Sequence, residues 1–508
     1  MNAIKKIVAI KDRMFLITVI VLGLIVPQTS NAQEIQGEIL LDTLDFKIIR
    51  VWGTHTERGY AYGYITGNEI NDIFDNYIKP MFGNYYNTAR NLILAEGNFQ
   101  INEVYIMEAQ AIIDGMTESG TNTQNLDVTD MLVGNCMLDI QGILGKSSGL
   151  GCSSLMSWGD ATTNTDLNGE AIITRHLDWS SNTTLLSNHL IVIHQPTEES
   201  EQNWMLIGFT GMMGALSGVN NYLGVFQHVM ADYTSNGQQN KSYKPIWFAM
   251  RDALEKSDYN SDGNCNVIDI KNSLDDSPNG FASGYLINGL SDNVSSDDLT
   301  AIVAEITPTA PTHVYSNNTF PDSIPGDNLY SANNQIARNN LMHFCNRYNN
   351  IRNHIGDGTL IGPEENWDLM RDWSHQSNNI QVMQFAPAIN HFRIGVKNDL
   401  PAYQSEYIDL DLNDLLNSVT FIKQHKNKTS LTFYPNPTVD QIIISDMGAV
   451  PVPYTIEVIN FNGMVVQKIE ITEKISSFKL PLSNYGKGIY TIHIHGKQLS
   501  SRQKIIKI

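Results

Sequence analysis

The sequence predicts a chain of mixed α and β structure that ends in a separate, small all-β sandwich. Three observations carry this prediction. Residues 150–158 and 170–179 are β-like runs flanking the turn Asp166-Leu167-Asn168-Gly169, which reads as a hairpin. Helical periodicity covers 245–256 and 268–274. Beyond residue 431, short alternating runs at 441–445, 455–459, 465–471, 477–480 and 489–495 are separated by turn residues. Among those turns, Asn462-Gly463 suits a tight hairpin because both residues accept positive φ.

The chain has 508 residues, and at about 150 residues per domain that allows two to four domains. A 42% hydrophobic and 17% charged composition is globular, and the length suffices for a sizeable core. Acidic residues outnumber basic ones 53 to 33, so the net charge of -20 repels phosphate backbones and argues against a nucleic-acid partner. The charge is uneven. Residues 421–508 hold 11 basic and 5 acidic side chains, net +6, against -26 for the rest, and the polar stretch 421–430 reads as a linker. Four cysteines without a C-x-x-C spacing predict neither a disulfide scaffold nor a structural zinc site.

At the N-terminus, Lys5, Lys6, Lys11 and Arg13 precede the apolar run 14–26 and then Ser30-Asn31-Ala32. That order is a secretory signal over 1–32, with a mature chain from Gln33, and the run is too short to span a bilayer comfortably. The competing reading is an uncleaved anchor.

In the 150–179 hairpin, Cys152 opens the first strand and Arg175 and Asp178 lie at the far end of the second. Antiparallel return brings the three together, a grouping suited to nucleophilic catalysis. A buried cysteine beside a strand-end Arg/Asp pair gives the same pattern. The motif Gly151-Cys152-Ser153-Ser154 followed by Arg175-His176-Leu177-Asp178-Trp179 resembles the N-terminal nucleophile hydrolases of the isopenicillin-N acyltransferase, penicillin V acylase, bile-salt hydrolase and acid ceramidase group. The stretch 51–60 (Gly53, Glu57, Gly59), the run 214–225, the pair Ala332-Asn333, Arg347-Tyr348 and the run 382–387 resemble further landmarks in the same order. His176 departs from the pattern, standing where many relatives have Asn.

The resemblance implies an αββα four-layer sandwich made as a precursor and cut autocatalytically between Gly151 and Cys152. It implies a pro-segment or small chain, 33–151, and a large chain, 152–420, hydrolysing a linear amide of a small N-acylated substrate through a Cys152 thioester. The freed amine, titrating near pH ~7.7–8, would serve as base. By the same resemblance Asp178 orients that amine and Arg175 favours the thiolate or grips a polar substrate group. Asn333, with Asn334 as competitor, donates to the oxyanion. Asn221 and His228 line the substrate pocket or are ordinary turn and strand residues. Arg347 is a substrate ligand or a helix-surface ion pair. Acyl transfer to an amine and a catalytically silent binding protein are the alternative functions.

Residues 258–269 place Asp258, Asn260, Asp262, Asn266 and Asp269 at positions 1, 3, 5, 9 and 12 of an EF-hand-like loop, with Gly263 at 6 and Asn264 giving its carbonyl at 7. The spacing predicts a structural Ca²⁺, held weakly because position 12 is Asp, or else an Asn/Asp-rich surface loop. No organic cofactor is expected. Cys136, Cys265 and Cys345 have no assignable pairing, and a Cys136–Cys152 bond is rejected because it would block the nucleophile.

The tail carries Phe433-Tyr434-Pro435-Asn436-Pro437-Thr438, Gly488-Ile489-Tyr490 and a terminal Lys504-Ile505-Ile506-Lys507. In this order the motifs resemble the C-terminal sorting domain of the Bacteroidetes type IX secretion system, implying the secretion machinery as partner and a cell-surface or secreted protein. A carbohydrate-binding sandwich is the alternative, but the tail lacks clustered Trp and Tyr.

Overall fold

The computed structural model describes residues 34–43, 46–146, 151–231, 236–292, 299–309, 312–315, 324–337, 345–417, 431–445, 447, 452–460, 465–496 and 499–507. The signal segment, the 421–430 linker and the Asn462-Gly463 turn lie outside them. The chain divides into two compact units, Met1–Val419 and Thr420–Ile508.

The first unit holds two sheets. The larger has nine strands: β1 (Gly37–Asp42), β2 (Lys47–Gly53), β5 (His189–Pro196), β6 (Trp204–Phe209), β7 (Ser217–Asn220), β8 (Leu223–Val229), β9 (Tyr285–Ser291), β10 (Ala301–Ile306) and β11 (His313–Tyr315), in that order across the sheet. Among the described strands of this sheet only the β2–β5 pairing is parallel. The smaller runs β12 (Asn328–Ser331), β3 (Gly151–Ser157), β4 (Ile172–Asp178), β13 (Asn379–Ala386), β14 (His391–Val396) and β15 (Tyr407–Asp411). Central strands β4, β6, β8 and β13 are buried along their whole length, because both of their faces are covered.

Helices α1 (His55–Ile73) and α2 (Glu103–Glu118) pack on each other, and α1 also packs on β2. A Cβ at Gly63 would sit 2.0 Å from the Ile112 carbonyl oxygen, and one at Gly115 2.1 Å from that of Tyr60, so only glycine lets these backbones meet. Thr54 and Glu57 form a capping box that starts α1. Helix α3 (Ile246–Glu255) covers β7 and β8, and α4 (Val267–Asp275) covers β9 and β10. Both stand where the periodicity predicted helices. On the smaller sheet, α5 (Asn346–His354) leans on α6 (Pro363–Trp373), which covers β3 and β4.

The second unit is all β. It pairs β16 (Thr432–Tyr434), β17 (Gln441–Ser445) and β20 (Ser477–Pro481) in one sheet, and β19 (Val465–Ile471), β18 (Tyr454–Asn460), β21 (Gly488–Gly496) and β22 (Leu499–Lys507) in another. Alternate residues Ile442, Ile444, Ile456, Val458, Ile492 and Ile494 fill its core. The five runs legible in the sequence are strands here. The short β16 and the polar-rich β22 had not been read, and each is an edge strand held by one neighbour.

Candidate active site

β3 and β4 pair antiparallel with Gly151 opposite Asp178, Cys152 opposite Leu177 and Ser154 opposite Arg175. Alternation along each strand sends Cys152, Ser154 and Arg175 to the face that meets the larger sheet. There Arg175 Nη2 donates to the Gln227 carbonyl at 2.8 Å, and Ser154 Oγ lies 2.9 Å from His228 Nε2. Arg175 Nη2 also reaches Cys152 Sγ at 3.6 Å. Burial pushes the Cys152 thiol up and Asp178 adds to that, against the opposing pull of Arg175, the Asp178 backbone N–H and Arg347.

Asp178 is fully buried at the end of β4. One carboxylate oxygen accepts from Asn379 Nδ2 at 3.0 Å and the other lies 3.3 Å from Arg347 Nη1. Burial still lifts its carboxyl above the usual range, although Arg347, Asn379 and Arg175 all favour the anion. Arg347 begins the first turn of α5 and reaches inward. Its guanidinium donates to the Cys152 carbonyl and to Asn333 Oδ1, both at 2.8 Å. Gln376, with its amide oxygen turned toward Arg347, accepts from Nε and Nη1 at 3.1 Å.

Asn333 completes the group. Its Oδ1 accepts from the Cys152 backbone N–H at 3.1 Å, and its Nδ2 donates to the Val229 carbonyl at 2.7 Å. The contact to Cys152 is thus made by Asn333 and through its amide oxygen. Trp179, which follows Asp178 in the chain, donates its indole N–H to the Tyr77 hydroxyl at 2.6 Å. The two residues help line a pocket of about 400 Å³ with Pro80, Met81 and Leu138 and the polar Asn76, Gln141, Ser180 and Asn182.

The structure brings Gly151, Cys152, Arg175, Asp178, Asn333 and Arg347 into one cluster. It does not bring Asn221 there. That residue sits in the β7–β8 turn and exchanges side-chain hydrogen bonds with Asn417. It stands six positions before Gln227, about 20 Å along an extended strand. His228 is fully buried with both ring nitrogens engaged, Nδ1 to the Ala332 carbonyl at 2.9 Å, so it anchors the Ala332-Asn333 segment. Arg347 is not the surface ion pair that was one of its two readings: its side chain is 13% exposed. His176 points to the other face of β4, near Tyr403, and burial drops its pKa to about 3. Sequence reasoning missed Gln376 and Asn379, which lie some two hundred residues from Cys152 and carry no motif.

In the 258–269 loop, Asp258 accepts from the backbone of Asp262 at 3.1 Å and of Gly263 at 2.8 Å. Asn266 caps α4 in a capping box with Asp269. Asp269 also accepts from the Tyr259 backbone at 2.7 Å, and burial, then the charge of Asp262, raises its carboxyl while bonds to backbone N–H groups oppose this. Side chains of Asn260 and Asp262 bond each other at 2.8 Å, and Asn264 donates its N–H to Asp262. All four cysteines are free thiols, Cys136 and Cys152 buried.

Protein dcd1B of Dictyostelium discoideum is 24% identical over 226 residues, 42% of this chain and 43% of that protein, so the chain spans less than half the length of this relative. Residues 432–508 match the secretion system C-terminal sorting domain, which coincides with the second all-β unit. The chain carries a type IX secretion sorting domain and is exported to the cell surface or the medium.

Proposed function

We propose that the first unit is a self-processing cysteine hydrolase of the N-terminal nucleophile type, with its two sheets and flanking helices forming the four-layer αββα sandwich of that class. The observation that carries this reading is the set of contacts around one residue. The Cys152 N–H, carbonyl and thiol are each held by a different polar partner, Asn333, Arg347 and Arg175. A merely structural cysteine has no need of three.

In the uncut chain the thiol is protonated and buried. Self-cleavage begins when Cys152 Sγ, its proton removed, attacks the Gly151 carbonyl carbon. The C–N bond breaks, the proton passes to the leaving Cys152 nitrogen, and a thioester forms. Water then hydrolyses the thioester, releasing the Gly151 carboxylate and a free Cys152 amine. That amine is a base near working pH, so nucleophile and base sit on one residue. Asp178, opposite Gly151 in the register, faces the place where the amine becomes charged. Arg175 favours the thiolate. In turnover the thiolate attacks the substrate amide carbon, the amine-derived proton goes to the leaving amine, and water clears the acyl group. The resemblance implies a fatty or aryl acyl group. Hydrolysis is favoured over acyl transfer because an exported enzyme meets water as its abundant acceptor.

The test is to incubate purified protein with N-acyl amino acids, penicillin V, conjugated bile salts and ceramide, and to trap the acyl-enzyme by mass. An acyl adduct on Cys152 supports the reading. No turnover and an intact Gly151–Cys152 bond in folded protein would favour the silent binding protein.

The 258–269 loop fits a calcium ion. Asp269 is buried with its carboxyl raised by that burial, and a bound cation would relieve that. Asp258, Asn260, Asp262, Asn266, Asp269 and the Asn264 carbonyl would hold it. The ion would brace α3 against α4 and supply no chemistry to Cys152. Native-state binding raises stability by mass action. Millimolar Ca²⁺ is expected to raise the melting temperature by a few degrees, and Asp258→Ala with Asp262→Ala to abolish the rise. An identical melting curve with chelator would refute the site.

A further inference from the structure

Away from Cys152, a second set of charged side chains is buried where α1, α2 and α3 meet. His55 Nδ1 lies 2.6 Å from Glu108, and its Nε2 lies 3.0 Å from Glu201. Arg251 grips Glu108 through both terminal nitrogens, at 2.9 and 2.7 Å, and Glu255 through Nε at 2.8 Å. Arg58 pairs with Glu201 and Glu255, each at 3.1 Å. None of these six side chains is more than 7% exposed. Three cations face three carboxylates when His55 is protonated, so the cluster is balanced as it stands. At its rim, Glu198 accepts the His55 backbone N–H and Lys256 lies 3.3 Å from Glu201.

The partners divide about the Gly151–Cys152 bond. His55, Arg58 and Glu108 precede it, and Glu201, Arg251 and Glu255 follow it. The earlier segment also supplies β1 and β2, with β2 parallel to β5, and Tyr105, which stacks on Phe248 at 4.8 Å. Removing it would strip strands and core from the larger sheet.

We propose that this ion cluster is a latch that holds residues 34–151 on the rest of the first unit after the chain is cut, and that alkali opens the latch by taking the proton from His55. The proposal rests on the self-processing reading only for the origin of the cut. Once His55 is neutral, a buried cluster carries one uncompensated negative charge, which a low-polarity interior penalises. The groups facing His55 are Arg58 on its own helix, Glu108 and Tyr105 on α2, Arg251 and Glu255 on α3, and Glu198 and Glu201 on the β5–β6 connection. Burial opposes the imidazolium, but the bonds to Glu108 and Glu201 prevail and raise its pKa to about 9. A raised histidine stabilises the association fully below its free value near 6.5, and that contribution is lost as pH rises through 9.

The experiment separates the latch from the chemistry. In Cys152→Ala protein, a specific protease site inserted between Lys146 and Gly151 is cut, and release of the small chain on dilution is followed by size exclusion from pH 6 to 10. The association constant should fall on the order of 100-fold between pH 6.5 and 9.5. His55→Gln should associate weakly at all pH values, with the fall between 6.5 and 9.5 gone. If that variant does not fold, the His55 ring resonance of the cut parent serves instead, and should titrate well above pH 7.5. Association that does not change with pH, or a ring titrating near 6.5, would overturn the latch. Neither outcome depends on whether the native chain cuts itself.

Discussion

Cys152→Ala is expected to give one uncut chain and no amide hydrolysis. Alanine can neither attack the Gly151 carbonyl nor form a thioester, so both reactions vanish together. Cys152→Ser keeps an atom able to make the acyl shift, so slow cutting with hydrolysis reduced by at least about 10²-fold is expected, in line with the loss of an activated nucleophile. In the parent, the large chain should begin at Cys152. N-terminal sequencing decides this, and an active enzyme whose large chain starts elsewhere would falsify the mechanism.

Replacing Arg347 should have the second largest effect, because one guanidinium contacts the Cys152 carbonyl, Asn333, Asp178 and Gln376. Arg347→Met leaves the Asp178 carboxylate buried beside Asn379 with its nearest cation gone, and breaking a buried pair from one side costs about 3–5 kcal/mol. Burial already raises the Asp178 carboxyl, and losing Arg347 should raise it further. A carboxyl raised in the native state binds more protons than in the unfolded chain, so the variant should regain stability as pH falls and Asp178 becomes protonated. Denaturation at pH 7 and pH 5 measures this. Turnover should move the opposite way, since an anionic Asp178 is needed to hold the Cys152 ammonium, and the acid limb of the rate profile should shift to higher pH. Arg347→Lys restores charge without the planar fork, so it should recover stability better than activity. An acid limb unmoved in Arg347→Met would separate Asp178 from the chemistry.

Much of the local structure was legible because it depends on neighbours in sequence. The turn-rich connection that ends in Asn168 and Gly169, both at positive φ, was legible as the return of an antiparallel pair, in which Gly151 stands opposite Asp178. The capping residues Asn266 and Asp269 start α4 where the loop spacing ends. The sorting tail was legible through its alternating runs and its ordered motifs. Where the reading went astray, a long-range contact decided the matter. Asn221 lies in a motif-like hairpin, yet the direction of β8 carries it away from Cys152. Arg347 sits in a polar helix whose pattern, with mean hydropathy well below zero, says surface, and only the approach of α5 to the end of β3 turns it inward.

The sequence alone determined the two-unit division, the export tail, the Cys152 hairpin with its Arg175 and Asp178, and the oxygen spacing of the 258–269 loop. Each is set by turn chemistry, alternation or charge within a short stretch. Tertiary structure decided which distant groups close on Cys152: Asn333 from the segment after β12, Arg347 from α5, and Gln376 and Asn379 from the entry to β13. It also decided that His55 and Arg58, one turn apart on α1, meet Glu201, Arg251 and Glu255. Buried charges need partners, and which partners they find is fixed by how sheets and helices stack, a property that no local pattern encodes.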